Sequence, residues 1–471
     1  MHPHQLSRYA APALLIILAV LSIVTAFVTK TTYDSGDSIM HYIFSRYAFS
    51  YPNLFLHHWG KPLFILFSAP FAVFGFTGIK LFQCLVAAAS AFAAWKICKR
   101  LQFEYAFIAI VFLYFMPDYF LAQFSGLTEP LFGLVLVLSI FLYLRDLKVP
   151  ALSLVSFLPF ARAEGVIILI IFSVFLLFQK EFKYLPLLLT GFAVYSITGY
   201  FINKDILWLI HDNPYKGAKE IYGSGWIFHF AESLPMLTGT PLLVLFIAGV
   251  AGIAIQTFTP ARQEKFFTAR FFLIYGSAIG YFAAHSIFWW LGIFGSLGLP
   301  RVMIAIMPLL AIIALDGLNN IIKLLPWKKL RFYAAIAALC IVIIYPFQHN
   351  HTINFARDLN PSDEQVLMNE IGEWYNNSPY RDKKVFYSHP YLIIALNKDY
   401  FDTSETANLA NYRNFPQPDS TILIWDRWFS GVENKVDLDS LLKDSCCTLV
   451  RKFEKPKYKD TIRYYVLRAG D

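Results

Sequence analysis

From residue 10 to residue 346 the chain alternates between long apolar runs and short polar breaks; beyond residue 347 that alternation stops. The apolar runs lie at 10–28, 79–97, 103–120, 129–144, 150–162, 164–179, 184–202, 238–257, 271–290, 300–322 and 331–346. A helix needs about 20 apolar residues to cross roughly 30 Å of hydrocarbon, so the pattern predicts about eleven transmembrane helices. The run at 150–162 is short and needs support from its neighbours. A further run, Pro62 to Gly75, is about 14 residues long, the length of an interfacial segment, and is expected to lie at the membrane surface. Acids, bases, Asn and Pro return after Phe347. There Ser362 with Gln365 three residues on, and Asp363 and Glu364 between them, marks a capped helix start. Val366, Leu367, Ile371 and Trp374 follow at helical spacing, and Val385–Tyr387, Thr421–Trp425, Thr448–Val450 and Tyr464–Leu467 read as short strands. The expected fold is therefore an all-α polytopic membrane body over residues 1–346, with a small α/β domain over residues 347–471.

Charge fixes the expected orientation. Only 15% of the 471 residues are charged and 57% are hydrophobic, whereas soluble domains carry about 25% charge. The net charge is +8, and basic residues gather between apolar runs in five clusters: Lys96/Lys99/Arg100, Arg145/Lys148, Lys180/Lys183, Arg262/Lys265/Arg270 and Lys323/Lys328/Lys329/Arg331. Clusters of this kind between apolar runs mark cytoplasmic loops and argue against nucleic acid as a partner. If Pro62–Gly75 does not span, all five fall on one side, with the N-terminus cytoplasmic and the tail extracytoplasmic. The run at 10–28 has a weak basic start and no clear cleavage site, which favours a retained anchor over a signal peptide. The five cysteines form no disulfide framework.

The same topology gathers polar residues on the outer side. Asp34, Asp37, Lys61, Asp118, Glu129, Arg162, Glu164 and Arg301 all fall in its outer loops or at outer helix ends. At mid-bilayer each would cost about 2.5–3.5 kcal/mol on insertion scales. Several at the ends of different helices point to a water-accessible cavity; the alternative is ordinary interfacial charges that snorkel or pair.

The order of motifs carries a resemblance. Tyr33-Asp-Ser-Gly-Asp37 follows the first helix, and Gly60-Lys-Pro opens an apolar stretch ending in Phe-Gly75. Then come Leu127-Thr-Glu-Pro-Leu131, Arg162-Ala-Glu-Gly165 and Leu299-Pro-Arg301. This order resembles the class C glycosyltransferases, membrane enzymes that use polyprenyl-phosphate-linked sugars, and most of all the aminoarabinose lipid A transferases and protein O-mannosyltransferases. The resemblance covers the membrane body. It implies an inverting transfer of a sugar from a polyprenyl-phosphate donor to a glycan, lipid or protein acceptor on the extracytoplasmic face. Two departures stand out: Asp37 is followed by Ser38 rather than a second acid, and Gly60 replaces the acid that precedes Lys-Pro in the lipid A enzymes. Neither sugar nor acceptor can be carried over.

Chemistry and resemblance together assign roles. Asp37 is the expected catalytic base, with Asp34 its nearest rival as a residue that orients it or binds a cation. Lys61, Arg162 and Arg301 are expected at the donor phosphate, with Asp118, Glu129 and Glu164 completing the substrate-binding set. No cofactor is certain, and a divalent cation is compatible with the acids. His57 and His58 point different ways as neighbours and read as interfacial rather than metal-binding. Trp425, Asp426, Arg427 and Trp428 read either as a sugar-facing cluster or as a strand end with interfacial aromatics. No glycine pattern for nucleotide phosphates is present. A transporter or flippase of lipid-linked glycans, and a non-catalytic glycan-lipid binder, are the competing classes.

Overall fold

The computed structural model describes residues 3–212, 222–259, 266–348, 354–414, 421–457 and 460–470. Among them, seven helices are long and apolar enough to cross a membrane: Ala10–Val28, Gly75–Arg100, Phe182–Asn203, Thr240–Thr257, Phe267–Leu291, Pro300–Lys323 and Lys328–Phe347. Each overlaps a predicted run. Three further runs form shorter apolar helices, Glu129–Leu144, Lys148–Ala161 and Gly165–Phe178. The run at 103–120 divides instead into Ile108–Tyr114 and Pro117–Ala122. Pro117 lacks an N–H and pushes the residue before it out of the helical region, and Met116 is extended with ψ of 118°. Pro62–Ala72 is helical over 11 residues. The protein is a polytopic membrane protein with a small C-terminal sheet.

The described residues fall into two units. One is drawn from Met1–Thr29 and Phe44–Asn354, the other from Lys30–Ile43 and Phe355–Asp471. In the first, Pro300–Lys323 is the central helix: 94% of its apolar window is buried, against 17% for Ala10–Val28 and for Lys328–Phe347. The poorly buried helices thus present their apolar faces to lipid. Small residues let the central helix close on Thr240–Thr257. A Cβ on Gly249 would lie 2.3 Å from the Ile313 carbonyl oxygen, and one on Gly317 only 1.9 Å from that of Leu245. Close approach through small residues is how helices associate where burial from water gives no drive.

Contacts join the basic loops at one end of this unit. Arg100 lies 3.5 Å from Asp146 and donates to the Leu144 carbonyl at 2.9 Å. Lys148 pairs with Glu181, and the Arg100 guanidinium sits 4.9 Å over the Phe266 ring. Arg331 reaches Glu104 at 3.4 Å and the Lys323 carbonyl at 3.2 Å. The loops carrying Arg100, Lys148, Glu181 and Arg331 are in this way tied to their neighbours; Arg262 and Lys265 lie outside the described residues.

In the second unit, β1 (Val385–Tyr387) runs parallel to both β2 (Thr406–Asn408) and β3 (Thr421–Asp426). β3 pairs antiparallel with β5 (Asp460–Ala469), which pairs antiparallel with β4 (Cys447–Lys457), giving the order β2-β1-β3-β5-β4. Phe386, Leu409, Leu423 and Leu467 form its core. The helix Asp363–Asn376 starts on a capping box, Ser362 accepting from Gln365 N and Gln365 Oε1 accepting from Ser362 N.

That first turn also holds the segment 30–43. The Gln365 side-chain amide donates to Thr32 Oγ1, Ser35 Oγ donates to Glu364 Oε2 at 3.4 Å, and Lys30 N donates to the Leu359 carbonyl at 3.1 Å. Tyr464 donates to the other oxygen of Glu364 at 3.2 Å. The loop after the first helix is in this way part of the C-terminal unit.

The glycine contact in the membrane body gives a stability test. Gly317→Ala puts a methyl group against a backbone carbonyl that cannot rotate away, and such overpacking costs about 1–3 kcal/mol. The variant should unfold several degrees below wild type in detergent, measured by tryptophan fluorescence during heating; an unchanged midpoint would mean the two helices separate freely.

Candidate functional site

Arg162 is the centre of the polar cluster in the membrane body. It ends the short helix Leu158–Ala161 in an extended conformation, and the chain turns back into Gly165–Phe178 three residues later. Gly165 makes that turn possible, since a Cβ there would lie 2.4 Å from the Leu158 carbonyl carbon. Held so, the guanidinium meets Glu129 at 2.7 Å through one nitrogen and Glu164 at 2.9 Å through the other. The first nitrogen also donates to Thr128 Oγ1 at 3.2 Å. Glu129 opens the helix Glu129–Leu144 and is almost wholly buried. Gly133, one turn on, allows the turn Pro300–Ile306 to pass close by, and Arg301 approaches the same Glu129 oxygen at 4.0 Å.

Burial opposes the charges on these groups, yet each is fixed by its partner. For Arg162 the cost of burial is outweighed by Glu129 and Glu164, which hold the guanidinium protonated well above its ordinary range. Burial alone would raise the carboxyl of Glu164, but Arg162 first and His285 second bring it down to about 2. Lys61 also lies near enough to act on the Glu164 charge. His285 Nε2 stands 3.7 Å from Glu164 Oε1. Arg162 Nε is buried without a hydrogen-bond partner among the described residues.

Lys61 is positioned at a conformational cost. It is buried, and its φ of +64° puts a non-glycine residue in the left-handed region immediately before Pro62. Residues held this way cost on the order of 1–3 kcal/mol and cluster at functional sites. The loop before it is built on Phe44, whose ring stacks on His57 at 4.2 Å and meets Trp59 edge-on at 5.9 Å. His57 Nδ1 accepts from Gly60 N at 3.0 Å. Burial, and then the charge of Lys61, depress both histidines, His58 to about 4. They are neutral at pH 7.

Of the residues singled out in the sequence, Lys61, Glu129, Arg162, Glu164 and Arg301 come together in this unit. Asp118 opens the helix Pro117–Ala122 and is half-buried, on an element packed against the turn that carries Arg301. Asp34 and Asp37 belong to the other unit. Asp34 Oδ1 accepts from Gly36 N at 2.9 Å and Ser38 N at 3.0 Å, which caps the helix Asp37–Tyr47. Asp37 stands half-buried in the first turn. In the tail, Asp426 faces inward: it is buried and accepts from Phe429 N, Ser430 N and Ser430 Oγ at 2.7, 3.2 and 2.8 Å. The Trp425 indole donates to the Val436 carbonyl at 2.8 Å. These two residues hold the strand end together. Sequence reasoning missed His285 and Thr128; a histidine inside an apolar run is the only local signal the first offered. Among the described residues, no three His, Cys, Asp or Glu side chains are grouped as metal ligands.

No family model matches the chain, and no curated protein matches it in sequence. Two solved structures match it in shape across almost its whole length. ArnT from Cupriavidus metallidurans bound to undecaprenyl phosphate superposes with a TM-score of 0.61 at 12% identity, over 96% of this chain and 97% of that one. The same protein in the apo state gives 0.58 at 12% identity, over 98% of each. The chain has the ArnT fold. At this identity the likeness establishes architecture, and it matches at that level the class C resemblance read from motif order.

The depressed Glu164 carboxyl sets a pH dependence. Its folded pKa lies below the ordinary value near 4.5, so its stabilising contribution is complete above that pH and is lost as pH falls toward about 2. Wild type should lose thermal stability below about pH 4.5 faster than Glu164→Gln, read from paired melting curves. Parallel curves for the two proteins would show that the carboxylate is not held by Arg162.

Proposed function

We propose that this protein is a membrane glycosyltransferase that moves a sugar from a polyprenyl-phosphate donor to an acceptor on the extracytoplasmic face, with inversion at the anomeric carbon. The observation that carries this reading is the gathering of Arg162, Arg301 and Lys61 about the buried Glu129 and the half-buried Glu164 in the membrane body. Cations from three separate elements at one level, with Arg162 Nε buried and without a hydrogen-bond partner among the described residues, suit an anionic ligand. ArnT was crystallised with undecaprenyl phosphate, and this chain shares its fold, which supports a lipid phosphate as that ligand.

The chemistry follows from these groups. An acceptor hydroxyl attacks the anomeric carbon and loses its proton to a carboxylate, while the bond from sugar to phosphate oxygen breaks. The departing phosphate gains negative charge, so fixed cations stabilise the transition state more than the ground state. Arg162 and Arg301 take that role with Lys61, and the guanidinium fork can meet two phosphate oxygens at once. Glu129 and Glu164 keep Arg162 oriented. Asp37 is assigned the base. Asp34 caps the helix start through two backbone N–H groups, and Asp37 stands in the first turn of that helix, directly after the first membrane helix, which supports Asp37 in that role. The tail supports the acceptor side and does not carry the chemistry.

Transfer from a radiolabelled polyprenyl-phosphate sugar by the purified protein tests the reading, and product formation separates a transferase from a flippase. General-base catalysis contributes about 10²–10⁴-fold, so Asp37→Asn should lower transfer by at least that range while donor binding survives. Asp34→Asn keeps the accepting oxygen and should cost transfer less than Asp37→Asn, whereas Asp34→Ala should lower stability by the roughly 0.5–2 kcal/mol of a lost cap. Arg301→Ala should weaken donor binding and slow transfer together. Near-normal turnover in Asp37→Asn would move the base elsewhere, and a wild-type protein that translocates lipid without forming product would end the transferase reading.

A further inference from the structure

The helix Glu129–Leu144 has a second polar site at its other end. Its 16 residues span about 24 Å, which separates the Glu129 cluster from a cavity of about 470 Å³ lined by Phe92, Lys96, Lys99, Arg100, Phe141 and Arg145. Four cations and two aromatic rings line it, with no acid among the described lining residues. The nearest carboxylate pair, Arg100 with Asp146, is 3.5 Å apart and solvent-exposed on both sides, a geometry worth little. Ring faces place two of the other cations, Lys96 and Arg145. Lys96 Nζ lies 4.4 Å over Trp95 and 5.0 Å over Phe92, and Arg145 lies 5.8 Å over Phe141. A cation set by a ring face keeps its N–H groups for an oxygen ligand.

We infer that this cavity binds the headgroup of an anionic glycerophospholipid from the surrounding membrane, with one acyl chain laid along the helix Gly75–Arg100. The course of that helix decides between a lipid and a soluble anion. Leu85, Phe92, Lys96 and Lys99 are spaced by seven, four and three residues, so they share one face. Leu85 is 50% exposed and Phe92 40% exposed, both on a membrane-spanning helix. The face therefore runs from bare apolar surface to clustered cations in the direction from hydrocarbon to headgroup. A phosphodiester at the Lys96 level with a chain past Phe92 satisfies both halves; a free phosphate satisfies only the first. Each Lys or Arg near a membrane surface attracts anionic lipid, and the cluster concentrates four of them in one pocket. The site is independent of the donor chemistry proposed for the opposite end.

Native mass spectrometry of the full chain, titrated with phosphatidylglycerol or phosphatidylethanolamine, tests this. Wild type should hold phosphatidylglycerol more tightly, and the double variant Lys96→Gln with Arg145→Gln should weaken that binding about thirtyfold without changing the phosphatidylethanolamine signal. Arg145→Gln alone, at an exposed position, serves if the double variant fails to fold, and should weaken binding about fivefold. Phe92→Ala should also weaken the lipid, since it removes the ring that the chain passes. Two results overturn the inference: equal phosphatidylglycerol binding in wild type and the cation variants, or displacement of the lipid by inorganic phosphate at comparable concentration, which would mark a soluble-anion site.

Discussion

Arg162 lies between two carboxylates contributed by different parts of the membrane body, and the polar architecture of that body is arranged around it. A guanidinium withdrawn from water needs its charge and its N–H groups answered, and breaking a buried pair by removing one partner costs about 3–5 kcal/mol. Glu129 answers at 2.7 Å and Glu164 at 2.9 Å. To supply them, the helix Glu129–Leu144 must start at this level and the chain must fold back tightly at Gly165. The same demand draws in Arg301 and His285 at the edges of the cluster. Shorter helices are what allow it: at 16 residues or fewer, Glu129–Leu144 and Gly165–Phe178 place charged ends where full-length spans would place apolar ones.

The carboxylates after the first helix divide their work by geometry. Asp34 spends one oxygen on two backbone N–H groups, which would otherwise go unanswered at a helix start. Asp37 is already inside the helix. Two acids three residues apart, alike in a sequence, are thus made different by where the first turn begins. A similar division separates the two ends of Glu129–Leu144, one rich in ion pairs and the other in cations over rings.

How much of this could be read from the chain depends on the range of the interaction involved. Local signals carried well. The Ser362–Gln365 capping box forms as the sequence implies, and the strand expected at Val385–Tyr387 has those bounds. Hydropathy located the spanning helices but overlooked a break: the run at 103–120 is apolar throughout, yet Pro117 divides it. β2 went unread because Thr406–Asn408 has no strand composition of its own and owes its conformation to pairing with β1. Lys61, Glu129, Arg162, Glu164 and Arg301 were legible as a set because insertion cost makes each one conspicuous in so apolar a chain. His285 was not, since a neutral imidazole costs far less and no neighbour in sequence announces Glu164. Least legible was the membership of residues 30–43, which depends on partners more than 300 positions away.

That distance has a temporal side. Ser35 and Glu364 are 329 residues apart, and ribosomes add roughly 5–20 residues each second. The loop bearing Asp34 and Asp37 therefore emerges some 15–65 s before the turn that secures it. During that interval every spanning helix can insert while the loop still lacks the hydrogen bonds from Gln365 and to Glu364. The acids after the first helix can reach their final setting only once the last part of the chain has been made and carried to the same side. A chain truncated before residue 363 would keep its membrane helices and leave its earliest acidic loop without its anchor. Synthesis thus runs from one end to the other, while the completion of that loop waits on both.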